Sequence, residues 1–341
     1  MEQNISQPPG CEGDPPTAEQ ILYNIDIPTS TLYGVLTMMT VLGNLVYLEE
    51  IVYLLSKTPF SYKRTTYIWI TGAPPVIAAT SCIGLWVPRS TMFTDFTASI
   101  YFTICIHKFL VMIVEEYGGD DAFIHRLHGV PLKISTGPCC CCCCLCLPTI
   151  PMSRKTLTVL KSGTLQAALL RPILLFFATV LWTNGNYEQG KMKINGAFLW
   201  ITILSVAAFI LSLWPIGILF NQAKSNLSRH NIVPKFALNQ SVLILTQAQG
   251  GIINLLVSTG TIVCAAPFSA RARGAFMHQQ LLVMEMFILI LVSRCYYRRQ
   301  YHLNTEEGCP SQCQEQDNLK SHANKGVVLL TKPLMVSQQK V

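Results

Sequence analysis

Seven stretches of about 20 apolar residues constrain this chain more than any other feature of its sequence. The hydrocarbon core of a bilayer is about 30 Å thick, and an α-helix needs about 20 apolar residues to cross it. Half of the 341 residues are hydrophobic and 13% are charged, whereas a typical soluble domain is roughly 25% charged. The sequence therefore predicts an all-α membrane protein with seven transmembrane helices. The stretches are Thr31 to Leu55, Tyr67 to Val87, Phe96 to Glu116, Thr164 to Trp182, Ala197 to Phe220, Ala237 to Gly260 and Met277 to Tyr297.

Two of these stretches contain residues that disfavour a regular helix. Ala73-Pro74-Pro75 interrupts the second stretch, and several side-chain amides load the sixth. Irregular backbone at membrane depth is tolerated where protein or a water-filled cavity covers it. We therefore expect either a kinked crossing helix or a re-entrant segment at both places.

The distribution of lysine and arginine predicts the orientation of the chain, because cytosolic loops carry the excess of basic residues. With the N-terminus outside, most basic loop residues face the cytosol. The outer segments hold Arg89, Lys191, Lys193, Arg271 and Arg273. We therefore expect an extracellular N-terminal segment (1–30), a seven-span domain (31–300) and a disordered cytosolic tail (301–341). Asn4 then begins an outer glycosylation sequon, Asn4-Ile5-Ser6.

A run of cysteines lies in the longest loop, residues 118–163. Neighbouring cysteines do not converge on one point, so the run suits neither a disulfide framework nor a tetrahedral metal site. On the cytosolic side of a membrane, S-acylation is the favoured use, with Arg154-Lys155 facing anionic lipid headgroups. Soft-metal binding and a small apolar surface patch are the alternatives. The cysteines are Cys139, Cys140, Cys141, Cys142, Cys143, Cys144 and Cys146.

Ionisable residues at membrane depth are candidates for function, since they are costly there and usually face the bundle interior or water. Lys108 in the third stretch and Glu285 in the seventh both lie toward the middle of the bilayer, where they could pair. Arg171 lies nearer the cytosolic face of the fourth stretch. There it either binds an anionic solute or pairs with a carboxylate of a neighbouring helix.

The sixth stretch carries a possible stripe of amides. Gln240, Gln247 and Asn254 recur every seven residues, with Gln249 and Gly250-Gly251 nearby. In a regular α-helix this spacing places the three amides on one face. Such a stripe either bonds neighbouring helices or lines a polar path for a solute.

Several short motifs, taken in order, resemble the organic solute transporter alpha family, within the wider seven-span group that includes the transmembrane 184 proteins. The resemblance runs from about Leu32 to Arg299. The motifs are Leu48-Glu49-Glu50 with Val52-Tyr53-Leu54, Gly84-Leu85-Trp86-Val87-Pro88-Arg89-Ser90, Val114-Glu115 with Tyr117-Gly118-Gly119, Thr136-Gly137-Pro138, Lys235-Phe236-Ala237-Leu238 and Tyr296-Tyr297-Arg298-Arg299.

This resemblance implies a facilitative, sodium-independent carrier of amphipathic organic anions such as bile acids and conjugated steroids. It implies a single-span beta subunit as partner, an acylated cysteine run, and a basolateral plasma-membrane location, with an endoplasmic reticulum pool when the partner is lacking. The family positions fall on Glu49, Glu115, Arg171, Gln240, Gln249, Glu285 and Arg298. His107-Lys108, Gln247, Gly250-Gly251 and Asn254 depart from the family pattern, so substrate range or partner dependence is expected to differ.

Other classes of function find less support. No Walker loop follows a strand, and no nucleophile or paired-histidine motif lies at membrane depth, so neither an ATP-driven pump nor an enzyme is indicated. No cofactor is expected. A non-transporting seven-span scaffold is the main alternative. A seven-span receptor is less favoured, because its usual signatures in the third and seventh helices are missing.

Overall fold

The computed structural model describes residues 17–23, 26–57, 62–127, 129, 131–132, 150–187, 196–226, 232–264 and 269–307. Within them the chain is almost entirely helical, and seven helical segments are long and apolar enough to cross a membrane. The predicted seven-helix fold is confirmed. In chain order the spans, called span 1 to span 7 below, are Ile27–Lys57, Lys63–Trp86, Pro88–Glu116, Arg154–Thr183, Ala197–Ala223, Ile232–Ser258 and Ala270–Arg298.

The remaining described elements are short. Helix α1 covers Ala18–Tyr23, and helix α2 covers Asp120–Arg126 between spans 3 and 4. Two short strands, β1 (Pro131–Leu132) and β2 (Ile150–Pro151), pair antiparallel with Leu132 opposite Ile150. The helix of span 5 extends to Asn226 and that of span 7 to Glu307.

Spans 2 and 6 are irregular where the sequence predicted it. In span 2 one helix (Tyr62–Thr71) ends before Gly72 and a second (Ala73–Trp86) begins after it. Pro74 and Pro75 occupy the first turn of the second helix, where a missing backbone N–H is tolerated. The hydroxyls of Tyr47 and Tyr101 lie so close to Gly72 that a side chain there would collide with both.

Span 6 contains a π-helical segment, Ile244–Ala248, between α-helices Ile232–Leu243 and Gln249–Ser258. A π-turn holds one residue more than an α-turn. Since one residue corresponds to about 100° of rotation in an α-helix, the segment turns the second half of span 6 relative to the first. Both spans are thus long enough to cross, with an interruption rather than a re-entrant turn.

Span 3 lies in the middle of the bundle. Its Phe102, Ile106, Phe109 and Leu110 are buried. On one side, Tyr33 and Leu36 of span 1, Cys82 and Leu85 of span 2 and Val283 of span 7 form an apolar cluster. On the other side, Met92 of span 3 packs with Leu174 and Ala178 of span 4 and Ile201 of span 5.

The two ends of the bundle are distinguished by the β-hairpin. We call the end that holds β1 and β2 the hairpin end, and the other the far end. At the hairpin end, α2 is joined to span 4 by ion pairs of Asp121 with Arg154 and of Asp120 with Lys161. The strands β1 and β2 lie on either side of residues 133–149 in the chain. The cysteine run, like Asn4, lies outside the described residues.

The predicted orientation of the termini stays a prediction. Cys264, in the segment that leads from span 6 to span 7 at the far end, is disulfide-bonded. Structural disulfides persist on the oxidising side of a membrane. This bond agrees with an extracellular far end. The chain divides into two units, and in the second, 297–341, the described residues are the helical 297–307.

Candidate functional site

Polar side chains of spans 6 and 7 meet at membrane depth. The amide nitrogen Nε2 of Gln249 donates a hydrogen bond of 2.9 Å to Oε1 of Glu285. The other oxygens of the pair, Gln249 Oε1 and Glu285 Oε2, are buried and accept no hydrogen bond from the described residues. Glu285, considered above as a partner for Lys108, therefore has Gln249 as its hydrogen-bonding partner. The pair is a group of acceptors with few donors.

About two turns from Glu285 toward the far end, the imidazole of His278 lies against span 6 at Gly250. A Cβ at Gly250 would be 3.2 Å from Nε2 of His278. The glycine thus lets the ring approach the helix backbone closely, as small residues do between membrane helices. Nδ1 of His278 is buried and has no hydrogen-bonding partner among the described groups.

A second polar pair joins spans 3 and 7 near the far end. Nε2 of Gln279 donates a hydrogen bond of 2.7 Å to Oδ1 of Asp95. Gln279 is only 2% exposed, and its Oε1 accepts no hydrogen bond from the residues that the structure describes. Gly84 of span 2 packs against this amide, since a Cβ there would be in ordinary contact with Gln279 at 3.5 Å.

The face of span 3 that carries Asp95 opens toward the far end. Asp95 is exposed and Ser99, one turn further on, is partly exposed, whereas Phe102 and Ile106 on the same face are buried. Phe93, two residues before Asp95 and therefore about 200° around the helix, contacts Trp182 of span 4 instead. On this face Asp95 is thus accessible, whereas the residues nearer the hairpin end are buried.

Arg171 lies on the inward face of span 4. Residues on that face recur at spacings of three and four, and all of them except Arg171 are buried; they are Leu157, Leu160, Thr164, Ala167, Leu174 and Ala178. Arg171 is partly exposed. Its guanidinium makes no hydrogen bond or ion pair with any residue in the described ranges. It is therefore a cation that faces the bundle and remains open to a ligand.

Lys108 lies nearer the hairpin end and is partly buried. Its neighbour His107 places Nδ1 2.9 Å from Oγ1 of Thr164 in span 4. This contact fixes the axial register of spans 3 and 4. Counted from it at 1.5 Å per residue, Arg171 lies about 10 Å and Asp95 about 18 Å toward the far end.

The predicted amide stripe is wrong as a single stripe. It assumed a regular α-helix, and the π-segment Ile244–Ala248 shifts the register between Gln240 and Asn254. Gln240 is partly buried, while Gln247 and Asn254 are exposed on the bundle surface. The buried face of span 6 carries Lys235, Asn239, Val242 and Ile253 instead. Substrate binding by Gln240, Gln247 or Asn254 stays a prediction.

Acidic and basic residues at the hairpin end hold helices together. Arg294 of span 7 donates to Glu49 of span 1 at 2.7 Å. Lys235 is 1% exposed and its Nζ lies 4.9 Å above the ring of Tyr67. The hydroxyl of Tyr67 donates to Glu116 of span 3. Beside them, the rings of Phe220 and Phe236 stack with centroids 3.7 Å apart and close spans 5 and 6.

Asp95, His278 and Gln279 were not anticipated as site residues. Asp95 falls one residue before the apolar stretch that was assigned to the third helix, which in the structure begins earlier. His278 and Gln279 lie inside the seventh stretch, and a polar residue at membrane depth is by itself a reason to consider a functional role. No group of three His, Cys, Asp or Glu residues able to hold a metal ion occurs in the described part of the chain.

Comparison with known proteins identifies the relatives of this bundle. The family described as Organic solute transporter Ostalpha matches residues 32–302. A protein of Danio rerio named Organic solute transporter subunit alpha is 47% identical over 293 residues, which cover 86% of this chain and 89% of that protein. The Homo sapiens protein of the same name is 34% identical over 302 residues, covering 89% of this chain and 88% of that protein.

A more distant relative is a transmembrane protein 184 homolog of Dictyostelium discoideum. It is 25% identical over 231 residues, which are 67% of this chain and 44% of that protein. No solved structure matches the chain.

Proposed function

The chain belongs to the organic solute transporter alpha family, and from this premise we propose that it is one subunit of a facilitative, sodium-independent carrier of amphipathic organic anions. Its substrates are bile acids and conjugated steroids. The family membership and the seven spans make it a multi-pass membrane protein of solute transport, and the relatives' name, subunit alpha, implies a partner. That partner is a single-span beta subunit, and the complex works in the plasma membrane, basolaterally in polarised cells. The transporter family points to a non-enzymatic role.

The observation that carries this proposal is Arg171. An arginine inside a span costs about 2.5–3.5 kcal/mol on insertion scales, so it needs an acidic neighbour, water or a ligand. Arg171 faces the bundle interior, is partly exposed and has no acidic partner among the described residues. A planar guanidinium binds a carboxylate or sulfate through two parallel hydrogen bonds. Apolar neighbours such as Leu170 and Leu174 then face the hydrocarbon body of such an anion.

Uptake measured per surface molecule tests this role. In cells that express the chain with a beta subunit, Arg171→Ala should lower uptake of a labelled conjugated steroid by about 10- to 100-fold, since hydrogen bonds to charged groups contribute about 1.5–3 kcal/mol. Arg171→Lys keeps the charge but loses the planar fork, so it should retain part of the uptake with a raised KM.

Arg294→Ala is the matched control. Arg294 pairs with Glu49, so its loss removes an ion pair between spans 1 and 7 and should lower surface abundance, with uptake per surface molecule kept. Normal uptake per molecule in Arg171→Ala would remove Arg171 from the substrate path. A chain that reaches the surface with its beta subunit and transports no tested anion would favour the scaffold alternative.

The cysteine run gives the same complex a further membrane anchor. We propose that Cys139 to Cys144 and Cys146 are S-acylated at the cytosolic surface. The β1–β2 pair joins the two ends of their loop next to span 4. Arg154 and Lys155 begin span 4 beside it. Stable membrane attachment takes two signals, and acyl chains next to a basic patch provide both.

A further inference from the structure

Asp95 is a carboxylate in the outer part of the bundle that the proposed anion site does not use. Its Oδ1 accepts the hydrogen bond from Gln279 described above, and no ion-pair partner of Asp95 occurs in the described part of the chain. Gln279 is buried against Gly84 of span 2, whose neighbour in span 3 is Thr94. Three spans therefore fix the orientation of this carboxylate.

The Asp95–Gln279 pair offers a ligand more acceptors than donors. One N–H of the Gln279 side chain donates to Asp95. The buried Oε1 of Gln279 accepts no hydrogen bond from the described residues. A buried acceptor without a donor is unfavourable, and a ligand that donates to it removes this penalty. Asp95 is exposed, so its second oxygen is accessible to a ligand that carries donors.

The charge of Asp95 decides which end of an amphipathic anion it can meet. Two negative charges repel, so the anionic group of a substrate is disfavoured beside Asp95 and favoured beside Arg171. The two residues are about 8 Å apart along the bundle axis by the residue count from the His107–Thr164 contact. An anion whose charged group lies at Arg171 thus extends its neutral end toward Asp95.

We propose that Asp95, oriented by Gln279, forms a subsite that accepts hydrogen bonds from hydroxyl groups at the end of the substrate remote from its anionic group. This inference rests on the proposed function. It assigns to the pair a specificity for hydroxylated over deoxy anions, and an orientation of the bound anion with its charged group deeper in the bundle. A site built from hydrogen-bonding groups rejects a ligand that lacks the matching hydroxyl, because its own polar atoms then stay unpaired.

The test compares two taurine-conjugated cholanes that differ only in a 3-hydroxyl group on the ring system. Uptake efficiency of each is measured in cells expressing the chain with a beta subunit, for the wild type, Asp95→Leu, Asp95→Asn and Gln279→Leu. We expect the preference for the hydroxylated anion to fall about tenfold in Asp95→Leu. The preference should fall less in Asp95→Asn, which keeps an acceptor oxygen. In Asp95→Leu, uptake of the deoxy anion should fall less than uptake of the hydroxylated anion.

Thr97→Val is the control, since Thr97 is exposed and bonds to Phe93 of its own helix; it should keep the wild-type preference. Equal losses for both anions in Asp95→Leu would overturn the proposal. Uptake that falls in the wild type when choline replaces sodium, but does not fall in Asp95→Leu, would also overturn the proposal and indicate a cation site at Asp95.

Binding to purified protein separates this inference from the proposed function. The hydroxylated anion should raise the Tm of the wild type more than the deoxy anion does, and Asp95→Leu should remove that difference. This result would support the subsite even if no anion were transported. An equal rise in Tm with both anions would refute the subsite and leave the carrier proposal standing.

Discussion

Replacing Gly274 by alanine should push span 6 away from span 7. A Cβ at Gly274 would be 2.6 Å from Cγ2 of Val257 and 3.3 Å from Cγ2 of Ile253, whereas carbon atoms pack best about 3.5–4.0 Å apart. Span 6 must therefore move by about 1 Å, because the β-branched side chains of Val257 and Ile253 have few alternative rotamers. Overpacking of this kind costs about 1–3 kcal/mol. The movement also strains the Gln249–Glu285 hydrogen bond further along the same interface.

Gly251→Ala is the matched control in span 6, since a Cβ there meets nothing within 4 Å. Alanine is a better helix former than glycine by about 1 kcal/mol, so this variant should be neutral or stabilising. The assay is thermal unfolding of the purified chain in detergent, together with its surface abundance in cells. We expect a lower Tm for Gly274→Ala and an equal or higher Tm for Gly251→Ala. Two variants that change Tm in the same direction would refute the described packing of spans 6 and 7.

Two further predictions concern the anchor and the orientation. Replacing the seven loop cysteines, Cys139 to Cys144 and Cys146, by serine should abolish labelling with a palmitate analogue and reduce surface delivery. Unchanged labelling would contradict acylation. Stoichiometric zinc or copper in the purified protein that is lost with the same changes would indicate a metal site. A tag after Val341 should be reached by antibody only after permeabilisation, and a tag before Asn4 on intact cells, so detection of both on one side would mean that one span does not cross.

The number of spans could be predicted because it depends on local composition. Twenty apolar residues and a helical period suffice to place a membrane helix, whatever its neighbours are. The helix ends were less predictable. Span 3 begins at Pro88 and not at Phe96, because Thr94 donates to the backbone of its own helix and Asp95 accepts from Gln279, so neither polar residue ends the helix. That difference of a few residues removed Asp95 from the candidate site.

The arrangement of the site depended on contacts between helices, which one sequence does not contain. Arg171 was predicted from its charge alone, and the structure adds that it lies on the inward face of span 4. For span 6 the period of seven was misleading, since the π-segment inserts a residue into the helix. Gly250 lay next to this segment, but its partner His278 could be identified only from the packing of span 7.

Transport by purified protein tests the central claim most directly. The chain and a beta subunit are reconstituted into liposomes that contain neither sodium nor ATP, and a labelled sulfated steroid is added outside. We predict saturable uptake that ends when the free concentrations inside and outside are equal, and that is faster when the vesicles are preloaded with unlabelled anion. Uptake no greater than in protein-free liposomes, or accumulation above equilibrium that requires sodium, would contradict a facilitative organic-anion carrier.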